Sequence, residues 1–362
     1  MVSLHKYLLI LAVSYPAGLV AQNLEDSRLY RSAYYLGRGD TGIAFADGHE
    51  AIFYNPAGLA KGKGIYKETV FVSPGFELSQ DTKDLARKIA SEENTSPSTL
   101  RSHVGQNQHI GFSNFTGVVF RRAALGGLVN NHTNALLSKS ADNNGVELLE
   151  ANSTTNMMGT FSIAEGFFNQ FLLVGTTIKY LQQSYSSISV NVIDSSNLSD
   201  QLNSDDNQNS YTGTGADLGM MLQWPGGRSP FSLGLTIENV GGLTLANEVA
   251  TKDDRTIPQT INLGAAIDTG TKLSRMKFYL DLRDIANNVD PNFFKKTHIG
   301  AEIIFADVFG LTTGFNQGYP GVGAFFDIKV VRVDIGAYTQ EMGSYAGSRG
   351  DTRLFFKISS GI

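Results

Sequence analysis

Six charged residues recur singly in alternating stretches of the C-terminal third of the chain, and their types make them the first candidates for chemistry. These residues are Asp281, Arg283, Glu302, Asp327, Arg332 and Asp334. Opposite charges on neighbouring strands can pair with one another and brace a narrow interior. The same charges could instead form an electrostatic constriction that filters solutes. Either role requires strands that close around a polar lumen.

Enzyme signatures do not accompany these charges. The sequence contains no Gly-x-Ser-x-Gly elbow, no His-Glu-x-x-His motif and no P-loop lysine. Its six His show no metal-ligand spacing, and the absence of Cys excludes disulfides, thiolate catalysis and cysteine metal sites. A formal net charge of −5 gives no reason to expect nucleic acid, which needs clustered basic residues. The sequence therefore predicts a protein that is not an enzyme and has no cofactor, metal or nucleic-acid partner.

The elements that must position the charges are strands. From residue 107 onward, apolar and polar residues alternate, as where Phe278, Leu280 and Leu282 face away from Asp281 and Arg283. Such strands form both soluble sandwiches and membrane barrels. Single charges opposite the apolar stripe, and Tyr, Trp and Phe near strand ends, favour a barrel with aromatic girdles. The expected fold is all-β: an antiparallel, membrane-spanning β-barrel in contact with outer-membrane lipid.

About fourteen strands are expected. They begin near Ile65, Gln108, Ala123, Met158, Leu172, Gly213, Ser232, Gln259, Arg275, Thr297, Val308, Gly321, Val331 and Thr352. Three connections are long and polar: 80–108, which has a partly helical pattern, 186–210 and 244–258. Long loops at one end and short turns at the other are typical of outer-membrane barrels. The loops 80–108 and 186–210 are candidate binding surfaces for envelope protein partners.

The first twenty-one residues have the layout of a secretory signal peptide. Lys6 precedes an apolar run from Tyr7 to Val13, and small and aliphatic residues fill 17–21, which predicts cleavage before Gln22. An N-terminal anchor helix is the alternative, but Pro16 interrupts the run, which is shorter than the ~20 residues that span a bilayer. The expected organisation is a signal peptide at 1–21, an N-terminal segment at 22–63 and a barrel at 64–362.

The N-terminal segment is rich in Gly and lacks strand alternation, so it could fold into the lumen as a plug. Its run GRGDTGIAFADGHEAIFYNPAGLA, from Gly37, resembles the N-terminal segment of the FadL-like superfamily of outer-membrane barrels. That superfamily includes long-chain fatty-acid transporters, PorV-type barrels and the barrels named after TraF. The most specific part is Asn55-Pro56-Ala57 with the following Gly58.

The C-terminal part resembles the TraF-named group. The similar stretches are LDLRDI from Leu280, DPNFFKKTHIGAE from Asp290, GFNQGYPGVGAFFDI from Gly314 and VDIGAYTQEMGSYAG from Val333. The resemblance implies a fourteen-stranded barrel with an N-terminal hatch in the lumen, in which Asn55, Pro56, Ala57 and Gly58 control passage. In the alternative, these residues form a tight turn that holds the segment against the wall.

Three functions are compatible with this sequence. The first is passive transport of small hydrophobic or amphipathic compounds across the cell outer membrane of a Gram-negative bacterium, gated by the hatch, with such a compound as ligand. The second is a non-transporting docking or scaffold barrel for secretion, conjugation or envelope partners. The third is a soluble periplasmic sandwich. The FadL-like motif favours transport, whereas the TraF-like C-terminal part points to a role outside fatty-acid uptake.

Overall fold

The computed structural model describes residues 28–61, 64, 66–91, 104–139, 147–191, 208–224, 229–249, 251–271 and 273–362. The predicted signal peptide at 1–21 lies outside these ranges, as do residues 92–103 and 192–207 of the two candidate partner loops. Within the described ranges, no helix is both long enough and apolar enough to cross a membrane.

Seventeen strand segments of the described residues pair antiparallel in one closed sheet. They are β1 Tyr66–Val72, β2 Gly75–Ser79, β3 Asn107–Phe120, β4 Ala123–Lys139, β5 Glu147–Phe167, β6 Leu172–Asn191, β7 Gln208–Trp224, β8 Phe231–Glu238, β9 Leu243–Asn247, β10 Arg255–Ile257, β11 Thr260–Gly270, β12 Ser274–Leu282, β13 Thr297–Phe305, β14 Phe309–Asn316, β15 Tyr319–Asp327, β16 Val331–Glu341 and β17 Gly350–Gly361.

The seventeen segments form fourteen barrel strands, which confirms the expected fold and strand number. Three barrel strands consist of two segments each. β1 and β2 both lie between β3 and β17, β8 and β9 both pair with β7, and β10 and β11 continue each other opposite β9 and β8. The first break falls at Ser73 and Pro74, because proline has no N–H to donate to the ladder.

Inside the barrel lies a segment of residues 28–61, here called the inner segment. Its short helices are α1 Ala33–Leu36 and α2 Ala51–Tyr54, with 3-10 turns at Gly48–Glu50 and Pro56–Ala60. Two further helices lie outside it, α3 Gln80–Ser91 and α4 Phe293–Lys296. The inner segment is almost wholly buried, and its partners are the inward-facing side chains and main chain of the wall.

Alternation along the strands follows the two faces of the wall. On β12, Tyr279 and Asp281 are buried, at 4% and 1% exposed, whereas Phe278 and Leu280 are each 49% exposed. The exposed apolar side chains form the outer surface, where lipid rather than water meets them. Aromatic rings gather near the turns, as where Trp224 contacts Phe171 and Phe231 with ring centroids 5.2 and 5.6 Å apart. Both features are those expected of a membrane barrel.

The wall is much taller on one side than on the other. β5 and β6 contain 21 and 20 residues, whereas β12 to β15 contain eight or nine each. At about 3.3 Å per residue, the short strands extend roughly 30 Å and the long ones nearly 70 Å. Since a membrane barrel needs an apolar band only about 25 Å tall, β5 and β6 project well beyond it. The two ends of the barrel also differ. The end with the short turns, where β1 begins and β17 ends, is here called the terminal end.

The strand boundaries predicted from the sequence are wrong where the strands are longest. β5 begins at Glu147 rather than near Met158, β6 runs to Asn191, and a β9–β10 hairpin occupies part of 244–258. These extensions are rich in Ser, Thr and Asn, because water meets a strand beyond the membrane on both faces and removes the alternation. The helical pattern expected after Gln80 is confirmed by α3.

Candidate functional site

The Asn55-Pro56-Ala57 turn is held by the side chain of Asn55. Its Oδ1 accepts a hydrogen bond from Ala57 N at 3.1 Å, and Pro56 opens the following 3-10 turn. Its Nδ2 donates to the carbonyl oxygens of Ile43, at 2.7 Å, and of Met220 on β7, at 3.1 Å. Asparagine suits this position because one amide group can both accept and donate. The turn thus links two parts of the inner segment to the wall.

Two wall glycines permit this close approach. A Cβ atom on Gly175 of β6 would lie 2.5 Å from the backbone carbonyl carbon of Pro56, and one on Gly219 of β7 only 2.1 Å from Asn55 Oδ1. Asn55, Pro56, Ala57 and Gly58 are all buried, as the burial pattern of their 3-10 turn shows. The structure therefore brings the four predicted gating residues together against the tall side of the barrel.

Apolar packing continues on this tall side. The inner segment contributes Ile52 and Leu59, each at most 1% exposed, to a buried cluster with wall residues. The wall members of this cluster include Leu128, Leu173, Leu181 and Met221. Burying such side chains stabilises the contact by about 25 cal/mol for each Å² of apolar surface removed from water.

A polar network occupies the opposite, short side of the lumen. Glu302 accepts hydrogen bonds from Arg38 Nη1 at 2.8 Å, from the Tyr34 hydroxyl at 2.6 Å and from the Tyr279 hydroxyl at 3.1 Å. Arg38 also lies over the ring of Tyr35, 3.8 Å from its centroid. Glu302 was predicted to face the lumen, but its partners in the inner segment were not, because that segment has no periodicity from which to read a facing side.

Asp281 and Arg283 bind the main chain of the inner segment. Asp281 Oδ2 accepts hydrogen bonds from the N–H groups of Gly42, at 2.7 Å, and Ile43, at 3.1 Å. Arg283 Nη2 donates to the carbonyl oxygen of Asp40 at 2.6 Å. Both predicted lumen charges therefore bind the main chain of the inner segment from the same part of the wall.

Asp327, Arg332 and Asp334 form a separate ionic cluster between β15 and β16. Arg332 lies 2.9 Å from Asp334 and 3.3 Å from Asp327, and its guanidinium covers the ring of Tyr34 at 3.9 Å. The Arg332–Asp327 contact joins the two strands, whereas Arg332 and Asp334 both lie on β16, and the ring contact links the cluster to the inner segment. The six predicted charges thus divide between two regions of the lumen.

Lys357 of β17 and Glu50 of the inner segment are a further pair that sequence reasoning missed. Lys357 Nζ lies 3.4 Å from Glu50 Oε1, and Ser32 donates its hydroxyl hydrogen to the same oxygen at 2.6 Å. Burial raises the pKa of Glu50, but Lys357 and His49 outweigh it and hold that pKa well below its usual value. For His49, burial lowers the pKa, but the carboxylates of Glu68 and Glu50 outweigh burial and raise it to about 9. The sequence signal that could have placed Lys357 in the lumen is its alternation with the apolar Phe356 and Ile358.

Cavities lie on both sides of the inner segment. The largest described one, of about 680 Å³, opens at the terminal end and is here called the vestibule; Tyr66, Arg275 and Ser359 are among its lining residues. Two smaller cavities beside Arg28 measure about 60 and 30 Å³. None of these three is lined by residues 55–58. The described residues include no group of three or more His, Cys, Asp or Glu that could hold a metal ion.

Part of the sequence matches a known protein family. A family model described as "F plasmid transfer operon, TraF, protein" matches residues 106–280, ahead of most of the C-terminal stretches that resemble that group. No curated protein matches the sequence significantly.

Solved structures of similar fold include channels and transporters. The Ralstonia pickettii toluene transporter TbuX matches with a TM-score of 0.53 and 13% identity, over 90% of this chain and 96% of its own. The P. putida toluene transporter TodX matches with a TM-score of 0.51 and 10% identity, over 90% and 96%. A TodX monoaromatic hydrocarbon channel mutant, deltaS2S3, matches with a TM-score of 0.54 and 10% identity, over 91% and 98%. With its closed antiparallel wall of fourteen strands, this chain has the β-barrel fold of these solved channels and transporters.

Proposed function

We propose that this barrel is a passive transporter of small hydrophobic or amphipathic compounds, with the inner segment as its hatch. The observation that carries the proposal is the unequal attachment of that segment inside the wall. On the tall side it is fixed by the buried Asn55 turn and apolar packing. On the short side it is held by charged and polar contacts rather than by apolar packing. The likeness in fold to toluene transporters supports the same role.

This asymmetry gives the four gating residues a defined task. Asn55, Pro56, Ala57 and Gly58 form the pivot, because glycine-permitted contacts with β6 and β7 leave no room for sliding there. Displacement of the segment from Glu302 and Asp281 would then join the vestibule to the lumen beyond. Local openings of this kind involve the least strongly packed contacts of a fold.

Flux measurements test the proposal. The mature chain is reconstituted in liposomes that enclose a quenched reporter, and entry of toluene, a short-chain alkyl carboxylate and sucrose is followed. We expect entry of the first two and exclusion of sucrose. Pro56→Ala releases the fixed φ of the pivot and should change the entry rate severalfold. Pro320→Ala, at an exposed position of β15, is the matched control. Absence of any flux through the folded wild-type protein would refute transport.

A second function, the docking barrel, is favoured by one observation. The two described cavities beside Arg28 are only about 60 and 30 Å³, so little open volume lies in that part of the lumen. In that function the projecting strands and the loops 80–108 and 186–210 would bind envelope partners. A photo-crosslinking residue at Lys83 of α3 or at Ser187 of β6 would capture a defined protein in cells. Crosslinks at these positions together with absent flux would make docking the better assignment.

A further inference from the structure

The vestibule is lined by more basic than acidic residues. Seven Lys or Arg residues and five Asp or Glu residues line it. All five acids have basic partners within the described residues: Asp47 pairs with Lys67, Glu50 with Lys357, Glu68 with His49, and Asp327 and Asp334 with Arg332. Acids outside the lining pair with further lining bases: Glu302 with Arg38 and Lys277, and Asp268 with Arg275. Among the described residues, Lys61 is therefore the lining base that has no acid within ion-pair distance.

Lys61 is the unpaired base of the vestibule. It follows the last 3-10 turn of the inner segment, is only 9% exposed and lines the vestibule. Its ammonium nitrogen lies over the ring of Phe45, 4.6 Å from the centroid, and among the described residues it has neither a hydrogen-bond acceptor nor a carboxylate within ion-pair distance. A buried ammonium normally has such a partner. Burial lowers the pKa of Lys61 to about 8, because the attraction of Asp47 offsets the burial and the repulsion by neighbouring cations only in part.

Lys277 of β12 approaches the same ring from the wall. Its nitrogen is 4.5 Å from the Phe45 centroid and 3.6 Å from Glu302. Glu302 already accepts shorter bonds from Arg38 and Tyr34, so it compensates Lys277 only in part. Two ammonium groups thus lie beside one aromatic ring at the edge of a cavity, and one of them, that of Lys61, has no acid within ion-pair distance among the described residues.

We propose that the vestibule binds a small oxyanion, a carboxylate or a phosphate, against the ammonium groups of Lys61 and Lys277. Charge-assisted hydrogen bonds from ammonium groups to such oxygens are among the stronger polar contacts in proteins. The volume of about 680 Å³ lies in the range of small-molecule sites, roughly 300–1,000 Å³, and leaves space for more than the anionic group. This site lies at the terminal end and does not depend on passage of any solute through the lumen.

Calorimetric titration of the full mature chain in detergent tests the site. The probes are inorganic phosphate and hexanoate at pH 7, and we expect at least one of them to bind the wild-type protein. Lys61→Met should weaken binding by about tenfold or more, since hydrogen bonds to charged groups contribute about 1.5–3 kcal/mol. Lys61→Arg keeps the charge and should retain binding. Lys329→Met, in an exposed turn at the same end, should bind like the wild type.

The variants should fold, because Lys61→Met leaves no acid unpaired; heat-dependent gel migration of the barrel verifies this. Tighter binding of hexanoate would assign the site to the head group of an amphipathic solute, and tighter binding of phosphate to a phosphate compound. Either result supports an oxyanion site. Failure of both probes to bind the wild type, or equal affinity in folded Lys61→Met, would overturn the proposal whether or not the barrel transports solutes.

Discussion

Replacement of Glu302 by Gln tests whether ionic contacts hold the inner segment in place. The side chain keeps its shape but loses the charge that faces Arg38, which is 1% exposed. The two groups lie 2.8 Å apart with almost no access to water. Breaking a buried ion pair by removing one partner costs about 3–5 kcal/mol, because the remaining charge is left uncompensated. At about 1.4 kcal/mol for each factor of ten, the population of detached segment should rise by roughly a hundredfold to a few thousandfold.

Hydrogen exchange at two backbone amides measures this detachment directly. Gly42 and Ile43 donate their N–H groups to Asp281 on the wall, so these hydrogens exchange when the segment moves away from β12. We expect Glu302→Gln to accelerate their exchange by the factor above and to increase the frequency of conductance openings in planar bilayers. Glu150→Gln, at an exposed position of β5, is the matched control. Unchanged exchange at both amides in folded Glu302→Gln would refute the idea that this network retains the segment.

Three other predictions concern the pivot, the pH response and the outer surface. Gly219→Ala should destabilise the barrel by about 1–3 kcal/mol in denaturant unfolding, because its Cβ would overlap Asn55 Oδ1, whereas Gly127→Ala, with open space around its Cβ, should be nearly neutral. His49 has a raised pKa, so its stabilising contribution is complete below about pH 6.5 and lost as the pH rises through about 9. Unfolding between pH 6 and 10 should show this loss in the wild type and not in His49→Gln; parallel curves would exclude it. Leu280→Arg should destabilise the folded barrel in bilayers by about 2–4 kcal/mol, with Leu280→Ile as control, and an equal stability of the two would contradict a lipid-facing position.

The fold could be predicted from the sequence because lipid imposes a simple pattern on every spanning strand. Residues such as Phe278 and Leu280 must be apolar where they meet acyl chains, and their neighbours face the lumen. Fourteen strands were therefore readable without any knowledge of their pairing. The projecting parts of β5 and β6 were not, because water on both faces removes the alternation on which the boundaries depend.

The candidate site could be predicted only in part. Alternation placed Asp281, Glu302 and Asp334 in the lumen, and the resemblance to FadL-like barrels singled out Asn55 and its neighbours. Alternation gives the facing side of a strand residue but not the group that it meets. The partners of these residues come from the inner segment, whose short turns carry no period.

By itself, then, the sequence determined a fourteen-stranded barrel with an apolar exterior and a charged interior. Only the tertiary structure decided what those charges do. Arg38 and Glu302 are 264 positions apart, and Asp281 binds amides 238 and 239 positions away. Such contacts arise when the closed wall surrounds the inner segment, because closure, and not local sequence, brings each wall position opposite a particular turn. The same closure leaves Lys61 and Lys277 beside one ring without a shared acid.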